Sequence, residues 1–545
     1  MNTRKINLFV ILCLMLAGCN QIDDTITEDP YAGGREPLNI QLLADPPSPA
    51  SGYPGDTVVF KAKGLSQKNA SGEYGFEFFL SDEKVRILAA DENSVTIKVP
   101  ENVSTGISHL LMQGQVFFGP KFTVLGNIRI DKEYGLSGGV TGSVLCYLPH
   151  RDRGGDFYIG GSLYVRTASG SSYTSNRRGL AHVQKNGVLS AVSSAKYMAS
   201  NPLTGGGQIS SMSYFSDGRV LLSGSFTSYE NLTSRKNGVA VNNMVVLNNN
   251  MSIRTKVDTL YYNNREYIID VSLFNGGSEQ VIVRSFVTSK DSVIAVGNIT
   301  SWCGINWDYS SYMDYAINYL PAKQIMKMDD VGKLDTIFRK GLSGANDIIT
   351  DAFIDSDDAL YIAGEFTSFD GKPANRIVKL NAAGMIDNDF MANTGGGANG
   401  PIDVVRYNKQ HGKIAVTGRF SSFNGHPRNG VALLNIDGTL DMTFALKDIA
   451  GGYVNYAQFL DLERVVISGT FTKYDGVTRS GFIIVEPDGT AIQGFNVPGA
   501  FAGQLHQALE SETTTGFYGL LLMGDFSRFN GEKANNIVMV EVDFN

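Results

Sequence analysis

The sequence predicts an all-β chain, a small β-sandwich followed by a seven-bladed β-propeller that an N-terminal strand closes. Three observations carry this reading. A glycine-led, phenylalanine-rich motif recurs down the chain, each period holds several short alternating runs, and a segment ahead of the first copy supplies a piece that the last copy lacks.

The motif is clearest as GEFTSFDG from Gly364, with copies GRFSSFNG from Gly418, GTFTKYDG from Gly469 and GDFSRFNG from Gly524. GSFTSYEN from Gly224 and GNITSWCG from Gly297 are worn copies, and a seventh starts at Gly161. Periodicity of about 51 to 55 residues in the later copies marks an array of one supersecondary unit. A period contains runs such as PIDVVRYN (Pro401–Asn408), KIAVTG (Lys413–Gly418) and GVALLN (Gly430–Asn435), then an LDxxF piece, which makes four short strands with turns between them. No run has the apolar spacing of three and four that a helical repeat needs. Four strands repeated seven times fit propeller blades. Within the motif, the closing Gly suits a positive-φ turn, the Phe or Tyr packs between blades, and the Asp or Asn before Gly caps the turn.

Closure is legible as well. The last copy ends at Ile537–Asn545 with no fourth strand, which would leave an open edge. Arg129–Tyr134 lines up with Thr439–Phe444 and Lys333–Phe338, so residues 128–134 are expected to complete the seventh blade. Asp335, Asp387 and Asp441 recur at one blade position and read as structural turn residues.

The pattern GxFTxFxGxxxxRIxxLNxDGxxDxxF, present as Gly364–Phe390 and with variation as Gly418–Phe444, resembles the delta-sixty repeat family of β-propellers. The resemblance implies the fold for about three quarters of the chain and leaves the activity open, because propellers host binding, scaffolding and catalysis alike.

Residues 1–19 read as a leader, with Arg4 and Lys5 before an apolar core Leu8–Leu16 that is too short to span a bilayer. Leu16-Ala17-Gly18-Cys19 resembles the lipobox of bacterial lipoproteins, which implies acylation of Cys19 and a lipid anchor in the outer membrane. Residues 20–37 form a polar tether. Its Asn20-Gln21-Ile22-Asp23-Asp24 resembles the surface-export signal of glycan-foraging bacteria, which implies a protein facing the cell exterior. Residues 38–125 alternate like strands between Pro and Gly punctuation, as a small immunoglobulin-like β-sandwich would. PxSGxPGDTVVFKAKGL, SVTIKVPENVSTG and FTVLG in this stretch are similar to IPT/TIG domains, which implies a spacer. Residues 126–545 are then the propeller.

The formal charge is −8, and removing Arg4 and Lys5 with the leader takes it to about −10, which disfavours nucleic acid. Beyond the leader only Cys146 and Cys303 remain, one in an apolar strand and one expected in a loop, so no disulfide framework and no cysteine metal site is expected. The six His residues show no HExxH, and neither GxSxG nor a Walker-type loop occurs, so no cofactor or metal is expected. Asp355-Ser356-Asp357-Asp358 aligns with hairpin turns elsewhere and reads as a solvated turn rather than a calcium loop.

What breaks the repeat points to a site. Spacing between the earlier copies stretches to about 63 to 73 residues, and the excess falls in two loop sets that emerge on one face. One insertion holds Trp302, Trp307, Asp308, Tyr309, Tyr312, Asp314, Tyr315 and Tyr319, with both tryptophans of the chain. The loop before it adds Tyr261, Tyr262, Arg265, Glu266 and Tyr267, and the first blade adds Tyr164, Arg166, Tyr173, Asn176, Arg177 and Arg178. Exposed aromatics beside planar polar groups suit a sugar, whose C–H face covers the ring while its hydroxyls hydrogen-bond. The same composition suits a protein hot spot, or an insertion folded on itself as a cap. Among these, the expected work is non-catalytic binding of a polysaccharide or glycoconjugate for an outer-membrane uptake machine of the starch-utilisation type. The alternatives are a protein-binding adhesin or scaffold, and a propeller lyase or hydrolase using two of Asp308, Asp314 and Glu266.

Overall fold

The computed structural model describes residues 38–65, 73–135, 140–169, 172–190, 207–229 and 239–544, leaving aside the side chains of 165–178 and 190. The leader, Cys19 and its tether lie outside the described residues, as do the side chains of Arg166, Tyr173, Asn176, Arg177 and Arg178. Nearly everything described is β-structure, and the α-helix found there is Asn388–Thr394. Among the described residues no helix is long and apolar enough to cross a membrane.

Residues 38–125 form two sheets over one core. Gln41–Leu42, Thr57–Lys63, Ser94–Lys98 and Ile87–Asp91 make the first, and Ser51–Gly52, Gln115–Val124, Gly106–Met112, Glu77–Leu80 and Glu83–Val85 the second. Along Thr57–Lys63 the side chains alternate, with Val58, Phe60 and Ala62 buried and Thr57, Lys61 and Lys63 exposed, the period of two that a half-buried strand requires. Phe60 meets Phe78 at 5.0 Å and Phe122 at 6.2 Å between ring centroids.

The repeat region builds antiparallel sheets in the order inner, middle, outer strand. Ile349–Ile354, Leu360–Gly364 and Ile377–Leu380 are one such set, and Ile402–Asn408, Lys413–Gly418 and Val431–Asn435 the next. Four strands were expected per repeat. In the middle repeats the fourth is reduced to a single bridging residue, as in Leu380↔Ile386 and Leu434↔Leu440. The chain leaves the sheet there because the Asp387 carboxylate accepts from the backbone N–H groups of Asp389 and Phe390, capping the helix Asn388–Thr394. Asp335 does the same for Ile337 and Phe338, so these aspartates are the turn residues that the repeat implied.

In the copies from Gly364, Gly418, Gly469 and Gly524 the motif folds as a small hairpin. Ser368–Phe369 pairs with Lys372–Pro373, and Asp370 and Gly371 between them have φ of 49° and 74°. Two left-handed residues in a two-residue loop match the twist of the flanking strands. Phe366 and Phe369 are fully buried against Ile294 and Val296 of the preceding sheet.

Inner strands lie one against the next in chain order, from Val140–Pro149 round to Ala502–Glu512, and the last lies against the first. Ile128–Ile130 pairs antiparallel with Ile537–Val542, Ile128 opposite Val542, and fills the edge that the last copy leaves open. Ser289 donates from its N–H and hydroxyl to Asp358 of the next repeat, so the acidic turn Asp355–Asp358 is spent on holding the hairpin and its neighbour.

The two-sheet unit docks on this ring. Val497 joins its core. Thr105 N–H donates to the Val497 carbonyl at 2.8 Å, the buried Ser104 hydroxyl lies 3.1 Å from the carbonyl oxygens of both Thr478 and Asn496, and Arg479 donates to that hydroxyl at 2.9 Å.

Candidate functional site

The loop ahead of the third repeat is a regular hairpin. Thr255–Tyr262 pairs with Arg265–Ser272 in unbroken register from Thr255↔Ser272 to Tyr262↔Arg265. Asn263 and Asn264 make its two-residue turn with φ of 51° and 59°, a conformation that asparagine tolerates best after glycine. A lone hairpin is marginal in water. The Trp-rich insertion supplies its second layer.

That insertion leaves the sheet as Ser301–Ile305, turns through Trp307–Tyr309 and returns as Ile317–Pro321. Asn275 ties it down by donating to the Ile305 carbonyl and accepting from Ile305 N–H, both at 2.8 Å. Trp307, Tyr312 and Tyr315 pack with Tyr267 on the hairpin face made by Leu260, Ile269 and Val271. Tyr267 and Tyr312 stack at 4.0 Å, and Trp307 meets Tyr315 edge-on at 5.4 Å. Trp302 turns instead toward the core of the third repeat, and its indole N–H donates to the Gly332 carbonyl at 3.0 Å.

The expected site residues therefore divide. Trp302, Trp307, Tyr312 and Tyr315 are partly buried and serve the folded-cap reading, because burying ring area stabilises the insertion more than exposure would. Tyr261, Tyr262, Arg265, Asp308 and Tyr309 are exposed, Tyr309 at 82% and Tyr261 at 59%. Ser310–Tyr312 runs alongside Tyr261 through a parallel bridge of Ser311, so Tyr309 and Tyr261 come from neighbouring stretches of chain. Tyr261 donates to Glu266, and Tyr319, also exposed, donates to Glu279 at 2.5 Å, a bond that raises its hydroxyl to about 12. Cys303, expected in a loop, is a buried strand residue, and both it and Cys146 are free thiols.

A second group of residues was not anticipated. Every inner strand of the ring carries a register shift at the same place, just past the apolar residue opposite the motif's leading glycine: Ile282/Arg284, Ile349/Asp351, Ile402/Val404 and Leu505/Gln507 are four of them. An extra residue at a bulge bends the strand and re-aims the side chains beyond it. Arg284, Asp351 and Gln507 stand at equivalent positions after the shift, and Arg406 lies two residues further along its strand. Asp351, 2% exposed, accepts from Arg284 Nε at 2.7 Å and from Arg406 Nη1 at 2.6 Å. Arg284 Nη1 donates to the Ser210 carbonyl at 2.7 Å, and Arg406 Nη2 to the His506 carbonyl at 2.9 Å. Burial pushes the Asp351 carboxyl up, and the two guanidiniums outweigh it and hold the group below the usual range. Burial, with Arg406 and Arg284, pushes His506 down to about 4. The arginines line an open cavity of about 410 Å³ formed by residues of the inner strands, with Tyr147, Ser211, Phe353 and Tyr407 in its wall. Aligning the inner strands by their apolar residue would have found these charges, since the matching positions elsewhere are Cys146, Ser211, Val404 and Tyr456.

Comparison with known proteins agrees with the β-propeller character of the repeats. Residues 356–390 and 412–444 match DUF5122, a β-propeller domain of unknown function, and residues 15–120 match DUF5008, a domain of unknown function. No curated protein matches the chain. Among solved structures it is similar to the WD40 β-propeller domain of Doa1, with 10% identity, 76% of this chain and 96% of that one covered and a TM-score of 0.37. It is also similar to YCF48 bound to D1 peptide (8% identity, 77% and 96% covered, TM-score 0.36). An auxiliary nutrient binding protein from Bacteroides ovatus ATCC 8483 matches at 11% identity, with 92% and 97% covered and a TM-score of 0.24. At such identities no ligand or activity transfers from one chain to another.

Proposed function

We propose that the chain is a non-catalytic surface lipoprotein that binds a polysaccharide or glycoconjugate and passes it to an uptake complex in the outer membrane. In this reading Cys19 carries the lipid, residues 20–37 are the tether to the cell exterior, residues 38–125 are an immunoglobulin-like spacer of the IPT/TIG kind, and residues 126–545 are a seven-bladed propeller. The shared core of the two N-terminal sheets and the cyclic order of the inner strands support the last two assignments.

The observation that carries the binding role is the exposure of Tyr261, Tyr262 and Tyr309 on a hairpin and turn backed by packed aromatics, with Arg265, Glu266 and Asp308 beside them. Tyrosine loses little conformational entropy on binding and offers both a ring face and a hydroxyl. Calorimetric titration of the mature chain with plant, fungal and mucin glycans tests this. One glycan class is expected to bind saturably and to weaken about tenfold in Tyr261→Ala and in Tyr309→Ala with unchanged melting. The reading fails if no glycan saturates, or if both variants bind as the wild type does.

A second reading rests on the outward face of the same hairpin. Val257 and Ile268, 67% and 71% exposed, share that face with Tyr261. Exposed apolar side chains of this size suit a protein partner better than a sugar.

A further inference from the structure

The charges around the axial cavity do not balance. Arg284 and Arg406 share one carboxylate, Asp351. The other titratable groups here carry no charge at neutral pH: burial raises the Cys146 thiol to about 12, and His506 is held at about 4. Ser210, Ser211, Tyr147, Tyr407 and Gln507 complete the polar lining and are neutral. Acids do lie beyond it, Asp525 near His506, Glu510 and Asp461 near Tyr147, Asp355 and Asp357 near Tyr407, and none of them lines the cavity. Among the groups that line it, one unit of positive charge is therefore left over, and it faces an open cleft. Low-dielectric walls strengthen its field there.

Arg284 is the group that presents it. Its Nε goes to Asp351 and its Nη1 to Ser210, while Nη2 makes no hydrogen bond to the described residues and Arg284 lines the cavity. Phe353 and Tyr407, which also line it, stack at 4.9 Å and give it an aromatic wall. A guanidinium edge pairs best with a planar carboxylate, and about 410 Å³ is room for one six-membered ring with its substituents.

We infer that the axial cavity is a second binding site, for a carboxylate carried on a single ring, with Arg284 as its anchor and Phe353 and Tyr407 as its wall. No residue of the lining belongs to the hairpin or the Trp-rich insertion, so this site stands independently of the glycan reading. The acid has two sources by its chemistry, the acidic end sugar of a glycan or a free aromatic acid.

The test is isothermal titration of the mature chain at pH 7 and fixed ionic strength with sodium glucuronate and sodium benzoate, each against its neutral counterpart, glucose and benzyl alcohol. At least one acid is expected to saturate while its counterpart does not. Glucuronate alone identifies the sugar source and benzoate alone the free acid. Arg284→Gln is expected to weaken binding at least about tenfold; it leaves Asp351 paired with Arg406, and its melting is measured beside that of the wild type. Gln507→Leu, whose amide makes only a 3.4 Å contact with the Leu145 carbonyl, gives a second variant expected to weaken binding. The proposal is overturned if neither acid saturates, if acid and neutral compound bind alike, if the variants bind as wild type, or if sodium chloride alone gives the same saturable signal.

Discussion

A methyl carbon placed on Gly364 would lie 2.1 Å from the carbonyl oxygen of Ile348, well inside van der Waals contact. The bulged inner strand brings its backbone that close to the middle strand, and the same approach recurs at Gly224, Gly418 and Gly524. The leading glycine of the motif is therefore a packing requirement, different from the closing Gly371, which has open space and a φ of 74°. Gly364→Ala is expected to cost about 3 kcal/mol, and Gly371→Ala about 1 to 2 kcal/mol. Denaturant midpoints of the two variants check the order, and equal midpoints would contradict the bulge account.

Stability should depend on pH through His506. Its folded value of about 4 lies below the ordinary 6.5, so between those limits the unfolded chain binds a proton that the folded chain does not. The contribution is complete above 6.5 and is lost as pH falls toward 4, on the order of 3 kcal/mol in all. Asp351 acts lower, because its folded value is depressed: its contribution persists above 3.8 and is lost as pH falls through that folded value. Urea unfolding at pH 7, 5.5 and 4 is expected to show this loss in wild type and a flatter profile in His506→Gln.

The tryptophans should report on the fold and not on the ligand. Trp302→Ala removes a packed indole and its bond to Gly332, a loss of about 3 to 5 kcal/mol. Tyr309→Ala should stay within about 0.5 kcal/mol. In a Trp307→Phe chain the emission of Trp302 is expected to remain constant on saturation with any glycan that binds; a ligand-dependent shift would move the site inward.

The repeat unit and the closing segment could be read from sequence because both rest on local patterns: alternation along Ile402–Asn408, the Asp-Gly turn at Asp370, and the shared Asp of Asp131, Asp335 and Asp441. The fate of the insertion could not be read. Trp307 and Tyr309 are two residues apart and chemically alike, and only the hairpin strand carrying Leu260 and Ile269 decides that one is covered while the other is open. The Arg284–Asp351–Arg406 group escaped for a related reason, since its members are 67 and 55 positions apart and meet through the repeated bulge. Helix Asn388–Thr394 is one cap extended by two turns, too short for a periodicity to show.

The contacts at Ser104, Arg479 and Val497 also decide how the molecule bears tension. A pull on the N-terminal sheets would otherwise travel straight into Ile128–Ile130, the three-residue strand at which the ring closes. The docked interface offers a parallel load path into the repeat built on Val454–Phe459 and Val465–Gly469, so the closing strand does not carry the load alone while that clamp holds.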